Sequence, residues 1–227
     1  MAFGARVPLA WRNLTENKLR LLASVAGTAF AVTLMFMENG FRNALLDSMV
    51  EMIQEFDGEL VIVSRTVYTL AVPYTFPYRR LEQAKAVAEV TEAVPIAIET
   101  MRSTWRNLET GLPRPIRVVA YPPELDALAN PALIQHKSEW SAPGTVMADA
   151  LSRTARLGSM EPGAQSELSG KSVKIVGKFE LGADFQNDGT LVMSDRNLDT
   201  IFPDRRGASR GDDKVNVGLV RLRPGTD

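Results

Sequence analysis

Leu21–Met37 reads LLASVAGTAFAVTLMFM, seventeen residues without a charge, closed by Arg20 on one side and Glu38 on the other. At a rise of about 1.5 Å per residue the run reaches about 26 Å as a helix, slightly short of a hydrocarbon core. The long side chains of Arg20 and Glu38 can extend to the headgroups and make up the difference. Ala23, Gly27 and Ala31 sit four apart, with Ser24 and Thr28 beside them, so one narrow helix face is built of small residues. Such a face lets a second helix approach closely, which makes the three residues a candidate packing seam. Chance spacing in a span where small residues are common is the alternative. A cleaved signal peptide is suggested by Ala29-Phe30-Ala31, but Val32–Met37 stays apolar beyond it and twenty residues precede Leu21. A buried core helix rarely runs this long without a polar face. The reading is a retained membrane span over 19–38.

The rest of the 227 residues has room for one good-sized domain or two small ones. Net charge is −1, so the overall balance gives no sign of nucleic-acid binding. Its distribution is uneven. Arg6, Arg12, Lys18 and Arg20 against Glu16 give residues 1–20 a net +3, leaving −4 for the remainder. A basic arm next to a span stays in the cytoplasm, which places the large C-terminal part outside, in the periplasm of a cell with an inner membrane. Cysteine is absent, so neither disulfides nor thiol chemistry enter the argument.

Before the span, Val7, Trp11 and Leu14 recur at helical spacing, with Arg12, Asn13, Thr15 and Glu16 turned away. Residues 1–18 read as an amphipathic arm on the inner membrane surface, Trp11 at headgroup level. The arm is a plain anchor or a docking face for a cytoplasmic partner. Beyond the span, Phe41, Leu45, Met49, Met52, Ile53 and Phe56 continue an apolar stripe, and 39–56 reads as a stalk continuous with the membrane helix. Asp57-Gly58 ends it, and Glu59–Ser64 is a short apolar strand.

Residues 57–227 alternate between strand and helix patterns. Helices are expected at Tyr78–Val90, in part of Glu124–Leu133, at Asp149–Leu157 and after Ser194. Strands are expected at Val94–Trp105, Pro115–Tyr121, Thr145–Ala148, Ser172–Glu180, Leu191–Met193 and Val215–Leu222, with loops at 158–171 and 203–213. This mixture implies an α+β extracytoplasmic domain in one or two lobes. Val215, Val217 and Leu219 fall on one face of the last strand and Val220 and Leu222 on the other, so both faces expect cover.

No residue set for catalysis emerges. His136 is the one histidine, so neither a histidine-based triad nor a metal site can be completed around it. Gly170-Lys171-Ser172 ends like a phosphate-binding loop, but the position that needs the first glycine is Gln165 and the following segment alternates like a strand. Asp184, Asp188 and Asp195 fall at turns, where carboxylates cap backbone groups. Trp105, Tyr121 and Trp140 read as core aromatics. Catalytic, cofactor and metal residues are therefore none.

Several stretches carry a resemblance: Pro8-Leu9-Ala10-Trp11, the run 19–47, Gly58–Ser64, Trp105-Arg106-Asn107-Leu108-Glu109-Thr110, Asp149-Ala150-Leu151-Ser152-Arg153, Phe179-Glu180-Leu181-Gly182-Ala183-Asp184-Phe185 and LVRLRPGTD at 219–227. In this order they resemble DevC-type ABC-transporter permeases of the MacB/FtsX superfamily. The resemblance implies a MacB-like periplasmic core domain on an N-terminal span, followed by three more spans. It also implies a cytoplasmic ABC ATPase partner, a periplasmic adaptor of the membrane-fusion type, an outer-membrane channel reached indirectly, and a homodimer of the permease. Members are linked to glycolipid export. The sequence ends at Asp227 without the later spans, so by this resemblance the outer domain is expected to be incomplete.

Two functions follow from different classes. One is a non-enzymatic permease subunit exporting a lipid, glycolipid or other hydrophobic substrate, with hydrolysis on the partner. The other is a single-pass sensor or scaffold whose outer domain binds a ligand or protein.

Overall fold

The computed structural model describes residues 16–66, 74–182, 187–207, 209, 211 and 213–225, with the backbone alone over 45–51. The arm residues Val7, Trp11 and Leu14 lie outside the described residues. The chain divides after Leu46 into two compact units, Met1–Leu46 and Asp47–Asp227.

Helix α1 (Lys18–Gln54) supplies the whole described structure of the first unit and the opening of the second. Asn17 starts it, its side-chain oxygen accepting from Arg20 N at 3.2 Å, the ordinary N-cap bond. Both threonines inside the apolar run are satisfied within the helix. Thr28 Oγ1 donates to Ser24 O at 3.0 Å and Thr33 Oγ1 to Ala29 O at 2.8 Å, so neither hydroxyl needs water. Residues 18–44 are long and apolar enough to cross a membrane, and that stretch is unburied in the structure. In a soluble protein such exposure would be costly; in lipid it is expected.

The second unit is α+β. After α1 come β1 (Leu60–Val63), β2 (Phe76–Pro77), α2 (Arg79–Lys85), β3 (Val90–Glu99), β4 (Thr104–Arg106), β5 (Pro113–Pro115) and β6 (Arg117–Tyr121). They are followed by α3 (Pro131–Gln135), α4 (Lys137–Trp140), β7 (Thr145–Asp149), α5 (Thr154–Leu157), β8 (Gln165–Leu168), β9 (Lys171–Phe179), β10 (Thr190–Ser194), α6 (Asp195–Ile201), a 3₁₀ turn at Pro203–Arg205, β11 (Lys214–Val215) and β12 (Val217–Leu222). Ten strands form one mixed sheet in the order β1-β12-β3-β6-β10-β7-β9-β8-β4-β5, and β11 pairs with β2 apart from it. β6 with β10 and β7 with β9 run parallel. The long strand β3 holds the sheet together: Val90–Ile96 pair with β12, and Ala97–Glu99 pair with β6.

Strands β6, β7 and β10 read as continuous apolar runs because both their faces are covered. Val119, Met147 and Val192 point to one side, where Met52, Phe56, Leu128, Leu133 and Trp140 close a core. Val118, Val146, Ala148, Leu191 and Met193 point to the other, under Trp105, Leu157, Met160, Leu198 and Phe202. A smaller cluster of Phe76, Leu81, Ala93, Val215 and Val220 sits under α2. The three aromatics expected in the core are there. Tyr121 meets Trp140 edge-on at 5.3 Å, and the two indoles donate to Leu157 O and Leu133 O.

Several expected elements differ. The helix from Tyr78 stops at Lys85, and Val87 is exposed beyond it. The strand expected over Val94–Trp105 breaks after Glu99, where the backbone turns so that Ser103 Oγ reaches Glu99 O and Ile116 O. Asp149 ends a strand rather than starting a helix, because its carboxylate gathers three N–H groups, from Leu151, Leu181 and Gly182 at 2.9–3.2 Å. Only Thr154–Leu157 of that expected helix forms. The last strand is interrupted at Asn216, which moves Val215 off the face of Val217 and Leu219 and into the cluster under α2. The loop expected over 158–171 contains β8.

Candidate functional site

Ala23, Gly27 and Ala31 all lie on α1 at the spacing that puts them on one face, and all are exposed. A Cβ added at Gly27 meets nothing within 4 Å among the described residues.

The densest polar arrangement of the second unit is one that no local pattern signals. Glu99 closes β3 and Arg205 closes the 3₁₀ turn after α6. They are 3% and 5% exposed and pair at 3.3 Å between Oε2 and Nη1. Arg102 adds a bond from Nη2 to Glu99 Oε2 at 2.6 Å and one from its backbone N to Oε1 at 3.2 Å, and itself reaches Asp204. Asn216 sits at the break between β11 and β12. Its Oδ1 accepts from Ile98 N at 2.8 Å and from Arg205, replacing a ladder bond that the break removes. Burial alone would push the Glu99 carboxyl up; its bonds from Arg102 and the charges of Arg102 and Arg205 overcome this and hold it below the usual carboxylate range. Burial lowers Arg205 from its ordinary value despite Glu99. Arg205 Nε has no partner among the described residues.

A cleft of 670 Å³ opens beside this pair. Its floor is apolar, with Pro95, Ala97, Ala120 and Leu198, and its rim is charged. Most rim charges pair with each other, Arg196 with Glu124 at 3.3 Å and Arg206 with Asp199 at 2.9 Å. Asp195 has no cation within ion-pair distance among the described residues. Burial, together with Asp199 and Glu124 nearby, pushes its carboxyl up. The volume suits a small-molecule ligand, and the lining offers binding groups but no nucleophile with an adjacent histidine or cysteine.

The residues weighed for chemistry fall elsewhere. His136 stands at the surface with Nδ1 on Glu139 Oε1 at 2.9 Å. Ser169 and Gly170, with φ of 50° and 79°, make the tight turn between β8 and β9, so Gly170-Lys171-Ser172 is a hairpin and not a phosphate loop. Asp188 pairs with Arg153 and Arg156 at 3.2 and 3.1 Å. Asp184 lies outside the described residues. Among the described residues no three His, Cys, Asp or Glu side chains converge as a metal site.

No protein-family model matches the sequence, and no curated protein matches it. Solved structures do. The chain is similar to the extracellular domain of the noncanonical ABC-type transporter YknZ from Gram-positive bacteria, at 14% identity and a TM-score of 0.46, over 73% of this chain and 82% of that one. It is similar to the periplasmic region of MacB from Actinobacillus actinomycetemcomitans at 7% identity and a TM-score of 0.43, over 76% and 74%. A domain of a permease protein from Porphyromonas gingivalis gives 14% and 0.43, over 64% and 67%.

Proposed function

We propose that this chain is a membrane permease subunit of an ABC exporter, working with a cytoplasmic ATPase and moving a lipid, glycolipid or other hydrophobic substrate outward. The observation that carries the reading is α1. One helix provides both an unburied apolar stretch of membrane length and Met52, a buried side chain in the core of the α+β domain. A membrane helix that runs into a domain core can pass a movement from one to the other. The collinear resemblance to DevC-type permeases supports the same reading. On it, residues 1–18 lie at the cytoplasmic surface with Val7, Trp11 and Leu14 toward the membrane or the ATPase. Residues 19–38 span the inner membrane, 39–56 form a stalk, and the domain from 57 onward meets a periplasmic adaptor that leads to an outer-membrane channel. The permease acts as a homodimer. The DevC-type assignment, the outward direction and each of these partners belong to the proposal.

Two measurements test it. A reporter active only outside the cytoplasm should work after Asp227 and fail after Lys18; the reverse pattern overturns the topology and the export reading. The tagged chain, solubilised from its native membrane, should bring down an ATPase with a phosphate-binding loop, and Trp11→Asp should release it. The cleft beside Glu99 and Arg205 favours one competing reading, a single-pass sensor or scaffold that binds a ligand outside. That reading requires the chain to purify without an ATPase.

A further inference from the structure

Among the described residues, strand β1 is the last strand at one end of the ten-stranded sheet and is bonded on one side only, to β12. Leu60, Val61 and Val63 are 54%, 40% and 38% exposed, whereas Leu219 and Val217, opposite Val61 and Val63 on β12, are fully buried. Among the described residues the apolar face of the sheet therefore runs one strand beyond its cover. Edge strands are ordinarily blunted by a charge, a proline or a bulge within the strand, and Leu60–Val63 has none of these.

The segment Glu59-Leu60-Val61-Ile62-Val63-Ser64-Arg65 is complementary to itself when reversed. Centred on Ile62, an antiparallel copy sets Glu59 opposite Arg65, Leu60 opposite Ser64, Val61 opposite Val63 and Ile62 opposite Ile62. Alternation in a strand puts Glu59, Val61, Val63 and Arg65 on one face, so both charge pairs and both valine pairs form side by side. A one-residue slip in either direction breaks both Glu59–Arg65 pairs, setting Glu59 against Ser64 or Arg65 against Leu60. Glu59 and Arg65 are both exposed, and Glu59 is held at the strand entrance through Oε2, which accepts from Leu222 N at 2.9 Å.

We propose that β1 pairs with β1 of a second copy, antiparallel and in register at Ile62, joining two sheets edge to edge. The inference rests on the two-copy assembly proposed above and names its contact. Copies anchored in one membrane meet at raised effective concentration, so a short strand pair is sufficient to orient them.

The native chain has no cysteine, which makes the register readable by cross-linking. The full chain is expressed in bacterial membranes and oxidised with a copper–phenanthroline reagent. Ile62→Cys should give about tenfold more covalent dimer than Met101→Cys, an exposed control outside the sheet, because residues directly opposite meet disulfide geometry. Val61→Cys with Val63→Cys should cross-link well, and either alone poorly. Adding Arg65→Glu to Ile62→Cys should lower the yield, since Glu59 then meets a like charge. A yield at Ile62 no higher than the control, a maximum at another register, or a cross-link to a different protein overturns the strand contact. Failure here leaves the reporter topology and ATPase capture untouched, and those tests judge the export reading separately.

Discussion

Replacing Glu99 by Gln keeps the side-chain shape and removes one charge, which makes it a clean probe of the buried network. Arg205 then keeps only neutral acceptors, the amide oxygen at 99 with Asn216 Oδ1 and Lys214 O, while its Nε already has none among the described residues. A guanidinium that is 5% exposed cannot recruit much water. Removing one partner of a buried ion pair leaves the other uncompensated and costs about 3–5 kcal/mol. Arg102 also bonds Glu99, but its side chain is 47% exposed, so Arg102→Met should cost only about 1 kcal/mol or less after solvent screening. Removing both buried members together, Glu99→Met with Arg205→Leu, should cost far less than Glu99→Gln alone. The assay is urea unfolding of the full chain in detergent, followed by fluorescence of the buried Trp105 and Trp140. The reasoning fails if Glu99→Gln costs no more than Arg102→Met, or if the double replacement costs more than the single one.

The same network fixes a pH dependence. The Glu99 carboxyl is held below its ordinary 4.5 in the folded chain, so its stabilisation is present above pH 4.5 and is lost as pH falls through the folded value; urea midpoints of native chain and Glu99→Gln should converge on acidification and separate above pH 5. Asp149→Asn should cost about 1–3 kcal/mol, because an amide cannot accept all three N–H groups that converge on the buried carboxylate; unfolding midpoints measure it directly. In the assembled complex, Gly27→Leu should lower recovery of the ATPase or of export, and Val25→Leu on another helix face should not. Equal tolerance at the two sites would reduce the small-residue spacing to coincidence.

What was legible in the sequence was whatever repeats at a fixed local period. The charge-free run and the stripe after it predicted one helix over 20–56, and α1 covers Lys18–Gln54. The alternation after Gly170 predicted β9, and Ser194 caps α6 by accepting from Asn197 N at 3.2 Å as expected. The misses share a cause: each depends on a partner far away in the chain. Asp149 looked like a helix start until its carboxylate met Leu181 and Gly182, more than thirty residues on. The break at Asn216 is made by Ile98 and Arg205, and Glu99 finds Arg205 across 106 residues. A polar residue in an apolar strand marks such a node only weakly, so the candidate site was hidden while the long apolar helix was plain.

The pairing of β1 sets a timetable for the newly made chain. Leu60–Val63 leaves the ribosome early, but the described sheet gives it one neighbour, β12, which begins at Val217. At about 5–20 residues per second, synthesis of the intervening stretch takes about 8–30 s. Throughout that interval four consecutive aliphatic residues lack the one neighbour the described sheet gives them. The long strand β3 faces the same delay over Val90–Ile96, also waiting for β12. The β1-β12-β3 end of the sheet therefore completes only once Val217–Leu222 has been made, while Ala97–Glu99 and β6 can pair as soon as they emerge. The segment around residue 60 thus reaches its place in the described sheet only after residue 222 has been made.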